Sequence, residues 1–359
     1  PTRTGAGKPA PLLMFQGSIL IDGNAVARAC HHAQKLTVGS FQTQAIFGSL
    51  RLLRRLAHSY SMHDILYLWD GRAEHRFAMY PEYKANRAAA RAADPEKEAD
   101  HRAYEAQVPL LRKAIQAIGV NQLTASNLEA DDLAGYFAPR MSKAGRRVLL
   151  VTGDTDWLQM VDENVTWLDH REDGKLVTHQ NFLEMTGYHS PREYLQGKAL
   201  VGDSTDGIGP VGGIGKETAP VLLARFKSIE AFFDACEKGT HKPNKTERSL
   251  WQGRSEFSKD EWKARFVGDP ADAKALKKHM DSWPGQGRVL WERNMKLMNL
   301  LDGPAPDPAK LEKCLGEFSI PAFRAICDRL GFASITRDMG TFIEPFQQRW
   351  QARIALAAA

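Results

Sequence analysis

Three short apolar runs in this chain each close on aspartate, and that repeat constrains the fold more than any other feature. Ser18-Ile19-Leu20-Ile21 ends at Asp22-Gly23-Asn24, Ile65 to Trp69 ends at Asp70-Gly71, and Arg146 to Val151 ends at Gly153-Asp154-Thr155-Asp156. Runs of this length bounded by turn residues read as buried parallel strands. Val120 to Leu123 and Asn164 to Asp169 read as two more, and the apolar spacing from Ile46 to Leu56 reads as a helix. In open α/β sheets ligands gather outside the carboxyl ends of the strands. One aspartate after a strand is commonly a turn former or a helix N-cap; three of them predict one shared crevice. Asp154 and Asp156, two apart, would project to one side if the chain stays extended there.

Asn127-Leu128-Glu129-Ala130-Asp131-Asp132 then places three carboxylates within four residues, ahead of an apolar-periodic segment. Like charges this close raise one another's pKa unless a cation lies between them. They either decorate a solvated helix start, where the helix dipole favours them, or serve as ligands for one or two hard divalent cations.

Residues 72 to 113 show no strand pattern and are rich in cations, among them Arg72, Arg76, Lys84, Arg87 and Arg91. A helical excursion here would reach over the strand ends; Glu82, Glu96, Glu98 and Asp100 allow the plainer reading of a solvated helix with i,i+4 pairs. Pro191 opens a helix that runs to Val201 and stops at the loop Gly202-Asp203-Ser204-Thr205-Asp206-Gly207, which adds two carboxylates. Gly212-Gly213-Ile214-Gly215-Lys216 follows, where glycines ahead of a helix let backbone N–H groups approach an anion. Pro210 and Glu217 stand where a Walker loop needs Gly and Ser or Thr, so a nucleotide-hydrolysing motor is unsupported.

Composition narrows the class. The chain has 359 residues, 43% of them hydrophobic, enough for a substantial core and two domains. No apolar run approaches the length of a membrane span, and a cytoplasmic, membrane-free protein is expected. Cys30, Cys236, Cys314 and Cys327 show neither CxxC nor zinc-finger spacing. The net charge is +5; with nine acids set aside at a metal site, 48 basic and 34 acidic residues leave +14, which suits a polyanion. Trp251, Trp262 and Trp283 lie among Lys and Arg between Lys238 and Arg288, where they either stack on bases or anchor small helices.

The order Asp22, Asp70-Gly71, Tyr83-Lys84-Ala85-Asn86-Arg87, Glu129-Ala130-Asp131-Asp132, Thr152-Gly153-Asp154-Thr155-Asp156, Gly202 to Asp206 and Gly213-Ile214-Gly215-Lys216 closely resembles the flap endonuclease / 5′-3′ exonuclease family. The match covers Ile19 to Phe226 and resumes at Glu292 to Leu297; residues 238 to 288 look like an insertion. Residues 1–17, rich in Gly, Pro and Thr, read as a disordered lead-in. The resemblance implies an α/β fold: a PIN-like domain over 18–190 with a mostly parallel central sheet and a helical arch at about 72–113. An α-helical unit with a helix-3-turn-helix would follow over 191–359. It also implies two Mg²⁺, replaceable by Mn²⁺, one held by Asp22, Asp70, Glu129, Asp131 and Asp132 and one by Asp154, Asp156, Asp203 and Asp206. Lys84 and Arg87 would act on the scissile phosphate, and Arg72, Arg76, Gly213, Gly215 and Lys216 would contact DNA. The expected activity is that of a monomeric 5′ nuclease on 5′ flaps, nicked or duplex ends and RNA–DNA hybrids. A PIN-type ribonuclease shares the acids but has no use for the Gly213 to Lys216 turn; a non-catalytic DNA-binding protein has no use for nine intact acids.

Overall fold

The structure is a computed structural model that describes residues 16–61, 63–171, 174–253 and 285–358, together with 263, 264, 266, 268, 269, 271, 272, 274–276 and 278. Residues 1–15 of the expected lead-in, and Trp262 and Trp283, lie outside the described residues; Gly17 already belongs to a strand.

The five expected strands all form. They are β1 (Gly17–Asp22), β4 (His63–Trp69), β5 (Asn121–Ala125), β6 (Arg147–Val151) and β7 (Val165–Asp169), with the small hairpin β2 (Thr37–Val38) and β3 (Phe41–Gln42) lying apart. β8 (Lys175–Val177) and β9 (Leu311–Cys314) complete a seven-stranded sheet in the order β8-β7-β6-β1-β4-β5-β9. The five central strands run parallel, and β8 and β9 close the edges antiparallel. The chain steps from β1 to β4 and β5 on one side, then crosses to β6 on the other. That reversal opens a crevice at the carboxyl ends of β1 and β6, where Asp22 and Asp154 were expected to meet.

Strand alternation divides the core. Ile19, Ile21, Ile65, Tyr67, Leu149 and Val151 face α1 (Gly23–Ala33), α2 (Gln44–Ser59) and α6 (Val108–Ala117). Leu20, Leu68, Val148, Leu150 and Trp167 face α7 (Ala130–Lys143) and a set of later helices: α8 (Phe182–Thr186), α9 (Pro191–Val201), α10 (Thr218–Phe226) and α11 (Ile229–Glu237). Each wholly buried Leu or Ile on these faces contributes about 1.5–3 kcal/mol relative to leaving it in water.

Three helices, α3 (Glu74–Met79), α4 (Ala85–Ala92) and α5 (Pro95–Glu105), form the excursion over the strand ends. It is shorter than the expected 72–113, because α6 is a core helix with Leu111, Ala114 and Ile115 wholly buried. In the expected insertion, α12 (Lys245–Gln252) packs through Leu250 into the core, and Trp251 lies against Phe233, anchoring a helix rather than presenting a free ring. α13 (Gly287–Met298) lies along α9.

The chain past residue 190 differs from the expected all-helical unit. β9 pairs with β5, and α14 (Ile320–Arg329), α15 (Ala333–Arg337) and α16 (Met339–Ala358) place Phe323, Phe342 and Phe346 in the same core cluster as Ile19 and Ile21. A boundary at 190 therefore cuts through one sheet. Charged residues at Glu312 and Lys313 hid the strand, as expected for an edge with one wet side.

Candidate active site

Asp22 is the last residue of β1, Asp70 follows β4, and Asp154 lies three residues beyond the end of β6. Asp22 caps α1, accepting from Ala25 N at 2.9 Å and from the Thr152 hydroxyl at 2.9 Å. Asp70 accepts from Ala130 N at 2.9 Å, so the second strand end is tied to the start of α7. Gly71 makes this approach possible: a Cβ there would lie 1.9 Å from the Ala125 carbonyl oxygen, and its N–H donates to Leu128 O at 2.8 Å.

Contrary to the extended-chain expectation, the chain turns after Asp154 into a 3-10 helix, Thr155–Met160, with Asp154 as its cap accepting from Asp156 N at 2.8 Å. Trp157 Nε1 in that helix donates to Asp131 at 2.7 Å. Burial, then the charges of Asp154, Asp22, Glu129 and Asp70, holds the Asp131 carboxyl well above the usual range. Asp22 is pushed up to about 7 by burial and by Asp70 and Asp154, against the hydrogen bonds from Ala25 and Thr152. These side chains therefore sense one another as a single negative cluster.

Cations fill part of it. Lys84 Nζ lies 2.6 Å from Glu129 Oε1, Arg87 pairs with Asp206, and Lys198 of α9 pairs with Asp156 and lies 3.6 Å from Asp203. Burial would raise Glu129, but Lys84 and Arg76 outweigh it and its pKa falls below the ordinary value. Tyr83 joins two parts of the cluster, its hydroxyl 3.0 Å from both Glu129 and Asp206. Arg76, Lys84, Arg87 and Lys198 set against nine carboxylates leave five formal negative charges. An all-oxygen donor set with that surplus suits hard divalent cations rather than zinc-type sites.

The family model described as the N-terminal resolvase-like domain of 5′-3′ exonucleases matches residues 17–187. A 5′-3′ exonuclease of Buchnera aphidicola (subsp. Acyrthosiphon pisum) is 30% identical over 225 residues, which are 61% of this chain and 74% of that protein. This chain belongs to the 5′-3′ exonuclease family. DNA polymerase I of Mycobacterium tuberculosis is 31% identical over 224 residues, 60% of this chain, and the match spans only about a quarter (24%) of that polymerase. Among solved structures, zinc-bound T5 5′-exonuclease superposes with a TM-score of 0.61 at 18% identity, covering 92% of this chain and 98% of that one. The catalytic core of Rad2 in complex with DNA substrate gives 0.53 at 13% identity, covering 95% of each chain. At such identities the likeness is one of fold: a PIN-like resolvase fold with a mostly parallel central sheet.

Within this 5′-3′ exonuclease fold two expectations change. Arg76, expected to contact DNA, is 2% exposed. It grips Asp132 with two nitrogens at 2.6 and 3.0 Å, reaches Glu129 at 3.1 Å and donates to Leu297 O at 2.9 Å. Asp132, 1% exposed, also takes the Glu129 N–H at 2.9 Å in a capping box. Its oxygens are spent on a buried bidentate pair and a helix cap, so Asp132 orients its neighbours rather than standing open to an ion. Arg72 does remain exposed, over the Phe77 ring at 4.8 Å.

Lys198 and the base of the arch escaped the sequence reading. Lys198 sits one helical turn before the Gly202 to Asp206 loop, a spacing that could have flagged it as a partner for those acids. The arch is stitched to that loop: Lys84 N donates to Asp206 O at 2.9 Å, Asn86 Nδ2 to Ser204 O at 2.6 Å and Arg87 Nε to Thr205 O at 3.1 Å. Lys84 holds a left-handed backbone, φ 57°, a costly conformation for a residue with a side chain.

Among the described residues, one trio brings three possible ligand atoms within 4.8 Å of one another: His31, His32 and Asp100. Gln107 Oε1 accepts from Ala45 N and its Nε2 donates to Ala103 O, so Nε2 faces His31 Nδ1 at 3.0 Å. Nδ1 is thus the acceptor, and the proton sits on Nε2, donated to Asp100 at 3.0 Å. In this arrangement the trio clasps α5 of the arch to α1.

Proposed function

We propose that this chain is a structure-specific 5′ nuclease, cutting DNA phosphodiester bonds to leave 5′-phosphate and 3′-hydroxyl ends. The observation that carries the reading is the convergence of carboxylates from three strand ends, the α7 start and the 203–206 loop into one negative crevice beneath a cationic arch. Two Mg²⁺ held there, or Mn²⁺ in their place, would supply an activated water on one side of the scissile phosphate and stabilise the departing oxygen on the other. Asp22, Asp70, Glu129 and Asp131 would hold the first and Asp154, Asp156, Asp203 and Asp206 the second.

Lys84, Arg87 and Lys198 then exchange carboxylate partners for phosphate oxygens, orienting the substrate and offsetting the charge it develops. In a helix-3-turn-helix formed by α9, the Gly213 to Lys216 turn and α10, Gly213, Gly215 and Lys216 would grip the duplex backbone away from the cut. Arg72 would add a contact at the arch base. A second cleft of about 1280 Å³ is lined by Arg51, Arg54 and Arg55, and by Arg171, which is paired with Asp169 at 2.8 Å; the arginines also suit a polyanionic partner. No helix among the described residues is long and apolar enough to cross a membrane.

Labelled 5′-flap DNA incubated with Mg²⁺ should be cut near the branch, and EDTA should stop the cutting. Single-stranded RNA cut in preference to the flap would favour the PIN-type ribonuclease, and a flap bound but never cut would favour a binding protein. Comparing blunt, nicked and RNA-primed substrates in the same assay measures the balance of exonuclease and flap cutting. For Lys216→Ala the expected result is weaker duplex binding with a log K against log salt slope shallower by about 0.9, the share of a single neutralised phosphate; an unaltered slope would remove Lys216 from the grip.

A further inference from the structure

The residues of α12 do more than extend the helical region. Gly212 opens the glycine turn in a left-handed conformation, φ 63°, and has no space for a side chain. A Cβ there would lie 2.4 Å from Leu250 Cα, 2.5 Å from Leu250 N and 2.5 Å from Ser249 O, so the turn rests directly on the backbone of α12. The Ser249 hydroxyl donates to the Gly212 carbonyl at 2.7 Å. On either side of Gly212, Val211 and Ile214 are buried with Leu250 in one apolar cluster, while Gly213, Gly215 and Lys216 are exposed, with open space around both glycines. One side of the turn is thus seated on α12 and the other is presented to the outside.

α12 is itself held from two directions. Glu247, 1% exposed, accepts from Arg225 at 2.6 Å, from the Asn244 N–H at 2.9 Å and faces His241 Nε2 at 2.8 Å. Arg225 belongs to α10, the helix that leaves the glycine turn. α12 therefore binds both the turn and the helix behind it, and fixes the angle between them.

We propose that Ser249 is a positioning residue for duplex binding: its hydroxyl holds the Gly212 carbonyl so that the Gly213, Gly215 and Lys216 side of the turn keeps the curvature of a phosphate backbone. The proposal rests on the reading of that turn as the duplex grip. It gives the 245–252 segment a role the sequence left blank. A loose turn must be ordered when DNA arrives, and that ordering cost weakens affinity while every phosphate neighbour of the turn stays in place.

The test measures duplex DNA binding across a salt series, with melting temperature and saturated cleavage rate, for Ser249→Ala, Ser249→Thr and Lys216→Ala. Ser249→Ala should bind roughly three- to tenfold more weakly, the effect of one neutral hydrogen bond. Its salt slope and its rate at saturating DNA should match the parent, and Ser249→Thr should restore affinity. Parent-like affinity in Ser249→Ala, or a shallower slope, overturns the positioning role, the latter because it would make Ser249 a phosphate contact. Lys216→Ala separates the two levels: if it binds like the parent, the duplex grip fails and this proposal with it. If it weakens binding while Ser249→Ala does not, only the positioning role falls. Should the alanine variant not fold, Ser249→Thr against Ser249→Val asks the same question with side chains of one shape, with and without the hydroxyl.

Discussion

Replacing Asp154 or Asp203 by alanine is expected to cut hydrolysis by about 10³-fold or more, the scale that goes with one preorganised charge-stabilising group, while duplex affinity stays near the parent's. Asp154 stands where β6 delivers the chain to the crevice, and Asp203 sits across it beside Lys198. Among the described residues neither is hydrogen-bonded or ion-paired to the Gly212 to Lys216 turn, so the two functions should separate. Each also makes a local hydrogen bond, Asp154 to Asp156 N at 2.8 Å and Asp203 to Thr205 N at 2.8 Å. Alanine therefore costs about 1 kcal/mol as well, of helix capping at Asp154 and of a turn hydrogen bond at Asp203. Asparagine retains the cap and loses the charge, so Asp154→Asn and Asp203→Asn should be as inactive as alanine but closer to the parent in melting temperature. Cleavage and binding falling together in all four variants would count against these residues as metal ligands.

Lys84→Ala is expected to slow single-turnover cleavage by about 10²-fold, the lower end for removal of a group that meets developing charge. Affinity should change little by comparison. Lys84 rests on Glu129 at 2.6 Å in a left-handed backbone, and Tyr83 beside it is held to Glu129 and Asp206. Those interactions place the ammonium at the crevice before any substrate arrives. A Lys84→Arg variant keeps the charge but changes its reach and fork geometry, so it should recover only part of the rate. A Lys84→Ala rate equal to the parent's would remove Lys84 from the chemistry and leave it as a counter-ion for the crevice acids.

What was legible in the sequence followed from strong local signals. The runs ending at Asp22, Asp70 and Asp154 became neighbouring or near-neighbouring strands because fully buried parallel strands must be apolar on both faces. α9 was readable because Pro191 marks its start; the structure adds the cap, Ser190 Oγ accepting from Glu193 N at 3.2 Å. The misses share a cause, namely partners far apart in the chain. Arg76 looked like any arch cation, and only the fold brings Asp132, 56 positions on, and Leu297, 221 positions on, to its guanidinium. Lys198 looked like a polar helix residue until the 3-10 helix turned Asp156 towards it. Leu311–Cys314, with two charges in four residues, carried almost no strand signal of its own. Pairing with β5 made it one.

That last strand bears on how the protein is made. β5 feeds the turn from which Glu129 and Asp131 emerge, and its free edge is covered only when Leu311 to Cys314 arrives, after almost 190 further residues. Ser126 N, at the start of that turn, donates to Lys310 O at 3.0 Å. During synthesis the nuclease sheet is therefore left with an open flank until the helical region has been translated, a high-contact-order step of the kind that folds slowly and invites aggregation. Expressing residues 18–190 alone would strand the molecule at that stage, with Phe323, Phe342 and Phe346 missing from its core as well.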